Sequence, residues 1–219
     1  MRRYSLSEID AQVKKAVRGA GFSWGHAEEA GKAARFLAAQ QLPGAALVAA
    51  YLQEREQEPQ SFATQEQVGY WQVTASGERF LCPVLAAASL LDTADVASGW
   101  AEQGAVRLHR VAYPLLLLPA LSVWAQARDV TLTLGWEAAE LACREGCVQV
   151  DALEMAVLAC TRAAFLDIKV TDAPLPQARE PRPVGQALDD TVWQALDAFA
   201  RRTYVAATEA SRRGAGPAD

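Results

Sequence analysis

Apolar positions recur every three to four residues through the first quarter of the chain. Leu6, Ile9, Val13, Val17 and Ala20 keep that spacing, which sets them on one stripe of an amphipathic helix. Ser5-Leu6-Ser7-Glu8 precedes them with the S-x-x-E spacing of a capping box, in which each side chain accepts a hydrogen bond from the other residue's backbone N–H. Gly19 and Gly21 end this helix, and Ser23 can cap a second one. The second helix carries Ala27, Ala30, Gly31, Ala34 and Ala38 on a small-residue face, against which another helix can approach closely. Leu42-Pro43-Gly44 stops it, and a third helix follows over about 45–56 with Leu47, Val48, Tyr51 and Leu52 inward.

Residues 57–77 are polar and show no period, whereas Pro83 ahead of Val84-Leu85-Ala86-Ala87-Ala88 predicts a helix with proline in its first turn. Beyond Gly104 the period changes to two. Val106 and Leu108 alternate with Arg107 and His109, Leu121, Val123 and Ala125 with Ser122, Trp124 and Gln126, and Val130, Leu132, Leu134 and Trp136 with Thr131, Thr133 and Gly135. Phe165 to Thr171 repeats the pattern with Leu166, Ile168 and Val170 inward. Such alternation predicts antiparallel strands with one buried face. Residues 137–161 suit a helix by composition and a hairpin by the turn around Gly146, and the reading leans to strands. Pro174, Pro176, Pro181, Pro183 and Gly185 then make a connector that cannot continue a sheet. A last helix is predicted from about Leu188 to Arg213, with Leu188, Val192, Leu196 and Phe199 buried and Asp189 and Asp190 at its positive end.

The predicted fold is α+β: N-terminal helices and a long C-terminal helix packed on a mainly antiparallel sheet. One domain is expected over 1–219, helical at 1–56, sheet-rich at 104–171, with a Pro-rich connector at 172–186 and the final helix at 187–213. A composition that is 51% hydrophobic and 21% charged can bury a core without staples and lies far from that of disordered chains.

Charge narrows the partners. A net charge of −5 and a pI near 5.2 make the molecule repel phosphate backbones and anionic lipid, so neither nucleic acid nor membrane is expected. The longest apolar run, Leu115 to Ala125, is interrupted by Pro119 and is too short to span a bilayer. The opening Met1-Arg2-Arg3 leads into a charged amphipathic stretch rather than a signal peptide, which points to the cytoplasm. Cys82, Cys143, Cys147 and Cys160 contain no Cys-x-x-Cys pair, so free thiols are expected, with no metal and no cofactor.

Gly21-Phe22-Ser23-Trp24-Gly25 matches the G-x-S-x-G pattern of a nucleophile elbow, but a helix stands where the elbow needs a strand. Ser23 is therefore read as a helix cap. His26-Ala27-Glu28 has half of a zinc deaminase signature without its P-C-x-x-C partner, and no Walker loop or H-E-x-x-H is present. Two segments hold more polar and aromatic groups than packing requires. One is the second helix, with Trp24, Glu28, Glu29 and Arg35; the other is the C-terminal stretch with Arg202, Tyr204, Glu209 and Ser211.

With these residues in view, the chain resembles an uncharacterised bacterial family, the domain of unknown function numbered 3726. The resemblance rests on Ser5-Leu6-Ser7-Glu8-Ile9, Gly19-Ala20-Gly21-Phe22-Ser23-Trp24-Gly25, Ala27-Glu28-Glu29-Ala30-Gly31 and Leu81-Cys82-Pro83. It rests also on Arg202-Thr203-Tyr204-Val205 and Thr208-Glu209-Ala210-Ser211-Arg212. It implies which residues to suspect and no chemistry. The expectation is a protein that binds or converts a small polar metabolite between the second and C-terminal helices. The alternative is a non-catalytic subunit that forms a homodimer through the small-residue helix face or an open sheet edge.

Overall fold

The computed structural model describes residues 1–63, 65–67, 72–75, 78–95, 99–137, 139–151, 155–175, 180–182 and 184–204. A short strand β1 (Arg2–Tyr4) leads into α1 (Leu6–Gly19), α2 (Trp24–Ala39) and α3 (Gly44–Gln57). The Ser5–Glu8 capping box forms in full: the Glu8 N–H donates to Ser5 Oγ at 3.2 Å and the Ser5 N–H to Glu8 Oε2 at 2.8 Å. Ile9, Val13 and Val17 of α1 are completely buried, as their spacing predicts. Three short strands follow within the stretch that shows no period, β2 (Phe62–Ala63), β3 (Gln65–Gln67) and β4 (Gln72–Ala75), and a fourth, β5 (Phe80–Leu81), just beyond it. Next come α4 (Pro83–Ala94), β6 (Ala105–Ala112), α5 (Leu118–Arg128), β7 (Thr131–Trp136), β8 (Ala139–Arg144), β9 (Cys147–Asp151) and the single turn α6 (Met155–Leu158). The described chain ends with β10 (Arg162–Thr171), β11 (Gln186–Leu188) and α7 (Asp190–Ala200).

The main sheet runs in the order β2-β5-β6-β10-β7-β8-β9, with β4 joined to β6 and β3 to β4. The centre, from β6 through β9, is antiparallel; β5 and β4 join β6 in parallel, as β2 does β5. The architecture is thus α+β on a mixed sheet. One face of the central strands is buried, with Leu108, Leu134, Leu141, Leu166 and Ile168 against α5 and its neighbours. Arg107, Glu140, Phe165 and Lys169 stand on the other face, exposed to solvent. Buried hydrophobic residues from α1 through α7 join in one connected core.

Two predicted elements differ. Residues 121–126 form the middle of α5 rather than a strand. Leu121, Ser122 and Ala125 are buried while Val123 is 64% exposed, a 3.6-residue period that a two-residue count mistakes for alternation. Pro119, in the first turn, suits a helix start. The predicted helix over 187–213 is also shorter where it is described. Leu188 pairs with Arg2 in the β1–β11 ladder, so α7 begins after Asp189, and a 3₁₀ turn at Arg201–Thr203 closes it before the extended Tyr204. Residues 205–213 lie outside the described residues.

Candidate functional site

The break between α1 and α2 creates the site. Gly21 takes φ +94°, a conformation that favours glycine, and the chain turns so that Ser23 enters α2 with extended backbone. Ser23 Oγ accepts the His26 backbone N–H at 3.2 Å and lies 2.9 Å from His26 Nδ1. The hydroxyl can accept the first bond and donate its own proton to the ring. This is the geometry of an N-cap. No carboxylate bonds to His26 among the described residues, so the G-x-S-x-G match carries no triad.

α1 packs against both α2 and α7. At its end the approach to α7 is very close, since a Cβ on Gly19 would fall 1.9 Å from the Phe199 carbonyl oxygen. That contact brings the end of α7 beside the start of α2. Arg18, Gly19, Gly21, Trp24, Arg202 and Thr203 line the resulting cleft, of about 370 Å³. Trp24 is 55% exposed at its edge. The Arg18 guanidinium sits 5.2 Å from the Trp24 ring centroid, within cation–π range, and donates to the Phe22 carbonyl at 2.8 Å. Arg202 donates to Glu56 at 2.6 Å and lies 4.4 Å from the Phe199 ring centroid. Lys15 is 5.8 Å from the Tyr204 ring centroid. The ion pair with Arg202 pulls the Glu56 carboxyl below its ordinary value.

Of the sequence-predicted residues, Trp24 and Arg202 share this cleft, and Tyr204 stands next to it in the chain. The others do not meet there. Glu28 turns to Lys14 of α1 at 3.7 Å, and Glu29 pairs with Lys32 at 2.7 Å. Glu29 belongs to a separate apolar groove of about 340 Å³ between α2, α4 and α5. Arg35 is exposed, about 16 Å along the helix from Trp24 at 1.5 Å per residue. Glu209 and Ser211 lie outside the described residues. Sequence reasoning missed Arg18, Gly19, Gly21 and Thr203 as cleft residues, having read the two glycines as a helix stop and as part of a motif. Their signal was positional: a helix end that runs straight into an exposed tryptophan.

The small-residue face of α2 is occupied within the chain. A Cβ on Gly31 would lie 2.6 Å from Asp10 Oδ1, so α1 covers one of the two surfaces that the homodimer alternative names, the other being an open sheet edge. All four cysteines are free. Cys143 pairs with Val148 and Arg144 with Cys147 across the β8–β9 hairpin, which turns the two hairpin thiols to opposite faces of the sheet. Among the described residues no three His, Cys, Asp or Glu side chains gather as a metal site, and no helix is long and apolar enough to cross a membrane.

Residues 4–78 match the family described as "Protein of unknown function (DUF3726)". The matched stretch includes α1, α2 and the turn between them, while Leu81-Cys82-Pro83 and the C-terminal motifs fall beyond it. No curated protein matches the chain.

Proposed function

A family of unknown function transfers no chemistry to the chain, so from the geometry we propose that it binds a small planar anion in the cleft between α1, α2 and the end of α7. The observation that carries this reading is a half-exposed indole, with the Arg18 guanidinium over its ring, on a cleft that Arg202 also lines. An indole face stacks a planar ring, and guanidinium forks take carboxylate or phosphate oxygens in pairs. Two guanidinium groups, with Arg202 paired to Glu56, line this cleft on a chain of net charge −5, and cationic groups in a cleft draw anions to it. Four free thiols suit a reducing cytoplasm as the working compartment.

Trp24 supplies the test. Trp100, Trp124 and Trp136 are buried and Trp193 stacks on Tyr4, so Trp24 is well placed to report a ligand in the cleft. Titration with aromatic carboxylates and nucleoside monophosphates is expected to quench emission saturably. Trp24→Leu should abolish the quench, and Arg202→Ala should weaken binding about tenfold, equivalent to ~1.4 kcal/mol. Quenching that persists unchanged in both variants would refute the reading.

A further inference from the structure

The two guanidinium groups that line the cleft between α1, α2 and the end of α7 are not equivalent. Arg202 is already compensated. Its Nη1 donates to Glu56 Oε1 at 2.6 Å, and its guanidinium lies 4.4 Å from the Phe199 ring centroid. Glu56 stands in the last turn of α3, so the pair ties α3 to the 3₁₀ turn that follows α7. The bond to Arg202 pulls the Glu56 carboxyl below its ordinary value, which keeps it ionised at neutral pH. An anion that approaches Arg202 therefore meets a carboxylate on the same guanidinium.

Arg18 is held in place by uncharged partners. Its Nη1 donates to the Phe22 carbonyl at 2.8 Å, and its guanidinium lies 5.2 Å from the Trp24 ring centroid. No carboxylate pairs with it among the described residues. Since Nη1 is the engaged nitrogen, the Nε and Nη2 edge is left for two parallel bonds to a carboxylate. The charges around the cleft are paired or off its lining. Glu28 is turned to Lys14 at 3.7 Å and Arg201 to Asp197 at 2.6 Å. Arg55 donates to the Ala20 carbonyl, and Lys15 lies 5.8 Å from the Tyr204 ring centroid; neither lines the cleft.

Taking the cleft as an anion site, the reading on which this step rests, we infer that its ligand is a singly charged aromatic carboxylate rather than a phosphate, and that Glu56 sets the preference. The ligand ring lies on the half-exposed Trp24 indole, and its carboxylate takes the open edge of Arg18. Stripping water from an ion costs free energy that grows with the square of its charge. A phosphate dianion carries that larger cost into a cleft whose lining holds one uncompensated guanidinium among the described residues, and Glu56 repels the second charge it brings to Arg202.

The test is calorimetric titration of the full chain near pH 8 with benzoate, which is singly charged, and phenyl phosphate, which is doubly charged there because the second phosphate pKa is about 6. Benzoate should bind at least tenfold more tightly. Glu56→Gln alters an exposed side chain and keeps an acceptor for Arg202, so it should hold the parent Tm. It should raise phenyl phosphate affinity about tenfold and benzoate affinity about threefold at most, because the free energy of a charge in a given potential doubles when the charge doubles. Arg18→Ala should weaken benzoate at least tenfold. Phenyl phosphate binding as tightly as benzoate, or gaining nothing in Glu56→Gln, would overturn the inference and leave the anion site standing. No saturable heat with either anion, or binding that Trp24→Leu leaves unchanged, would overturn both.

Discussion

Ser23 serves two partners at once, the His26 backbone N–H at 3.2 Å and the His26 ring at 2.9 Å. What a substitution does there depends on which property matters. A cap needs only an acceptor, so Ser23→Asp should keep near-parent thermal stability. Ser23→Ala should lose about 0.5–2 kcal/mol by thermal or urea unfolding. A nucleophile would need the hydroxyl itself, and a fluorophosphonate probe is expected to leave the protein unlabelled. The cap was legible in sequence because Ser-x-x-His stands directly before an apolar period. The 2.9 Å approach of the ring was not, because it depends on the rotamer of His26 at the helix start.

Among the elements, α1 organises the N-terminal half by lying against α2 on one side and α7 on the other. Both contacts depend on a missing side chain. At Gly19 the obstacle to a Cβ is the Phe199 backbone, 1.9 Å away, which cannot swing aside as a long side chain would. Gly19→Ala should therefore push α7 off α1, cost about 1–3 kcal/mol as overpacking does, and change Trp24 emission because the cleft widens. Unchanged stability and emission would show that the contact is looser than described. Helices α1 and α2 were readable because period, cap and stop signal agreed, and α3 from its apolar side after the Leu42-Pro43-Gly44 break, without a side-chain cap. The helix α5 was not, since Leu121, Val123 and Ala125 satisfy a strand count as well as a helix count and only burial separates the two.

For the whole molecule, burial sorts four chemically equivalent thiols. Cys82 and Cys143 are nearly inaccessible, and burial raises both thiols, Cys143 to about 12. Tyr51 bonds to Cys82 at 2.8 Å, and burial pushes its phenol well above the ordinary range too. Cys160 is half-buried and also raised, chiefly by burial. With a disulfide-exchange reagent near pH 8, Cys147 should react first, Cys160 more slowly, and Cys82 and Cys143 only in denaturant. Mass spectrometry that finds Cys143 labelled in the native protein would contradict this order. The amino-acid sequence by itself determined the α+β class, the three N-terminal helices with the caps of the first two, and the central alternating strands β6, β7 and β10, because period and capping act between near neighbours in the chain. Only the tertiary structure decided that β4, β5 and β6 run parallel, that Trp24 and Arg202 face one cleft while Glu29 and Arg35 do not, and that Glu56 pairs with Arg202. Each of those follows from which distant surfaces meet, and local spacing carries no record of that.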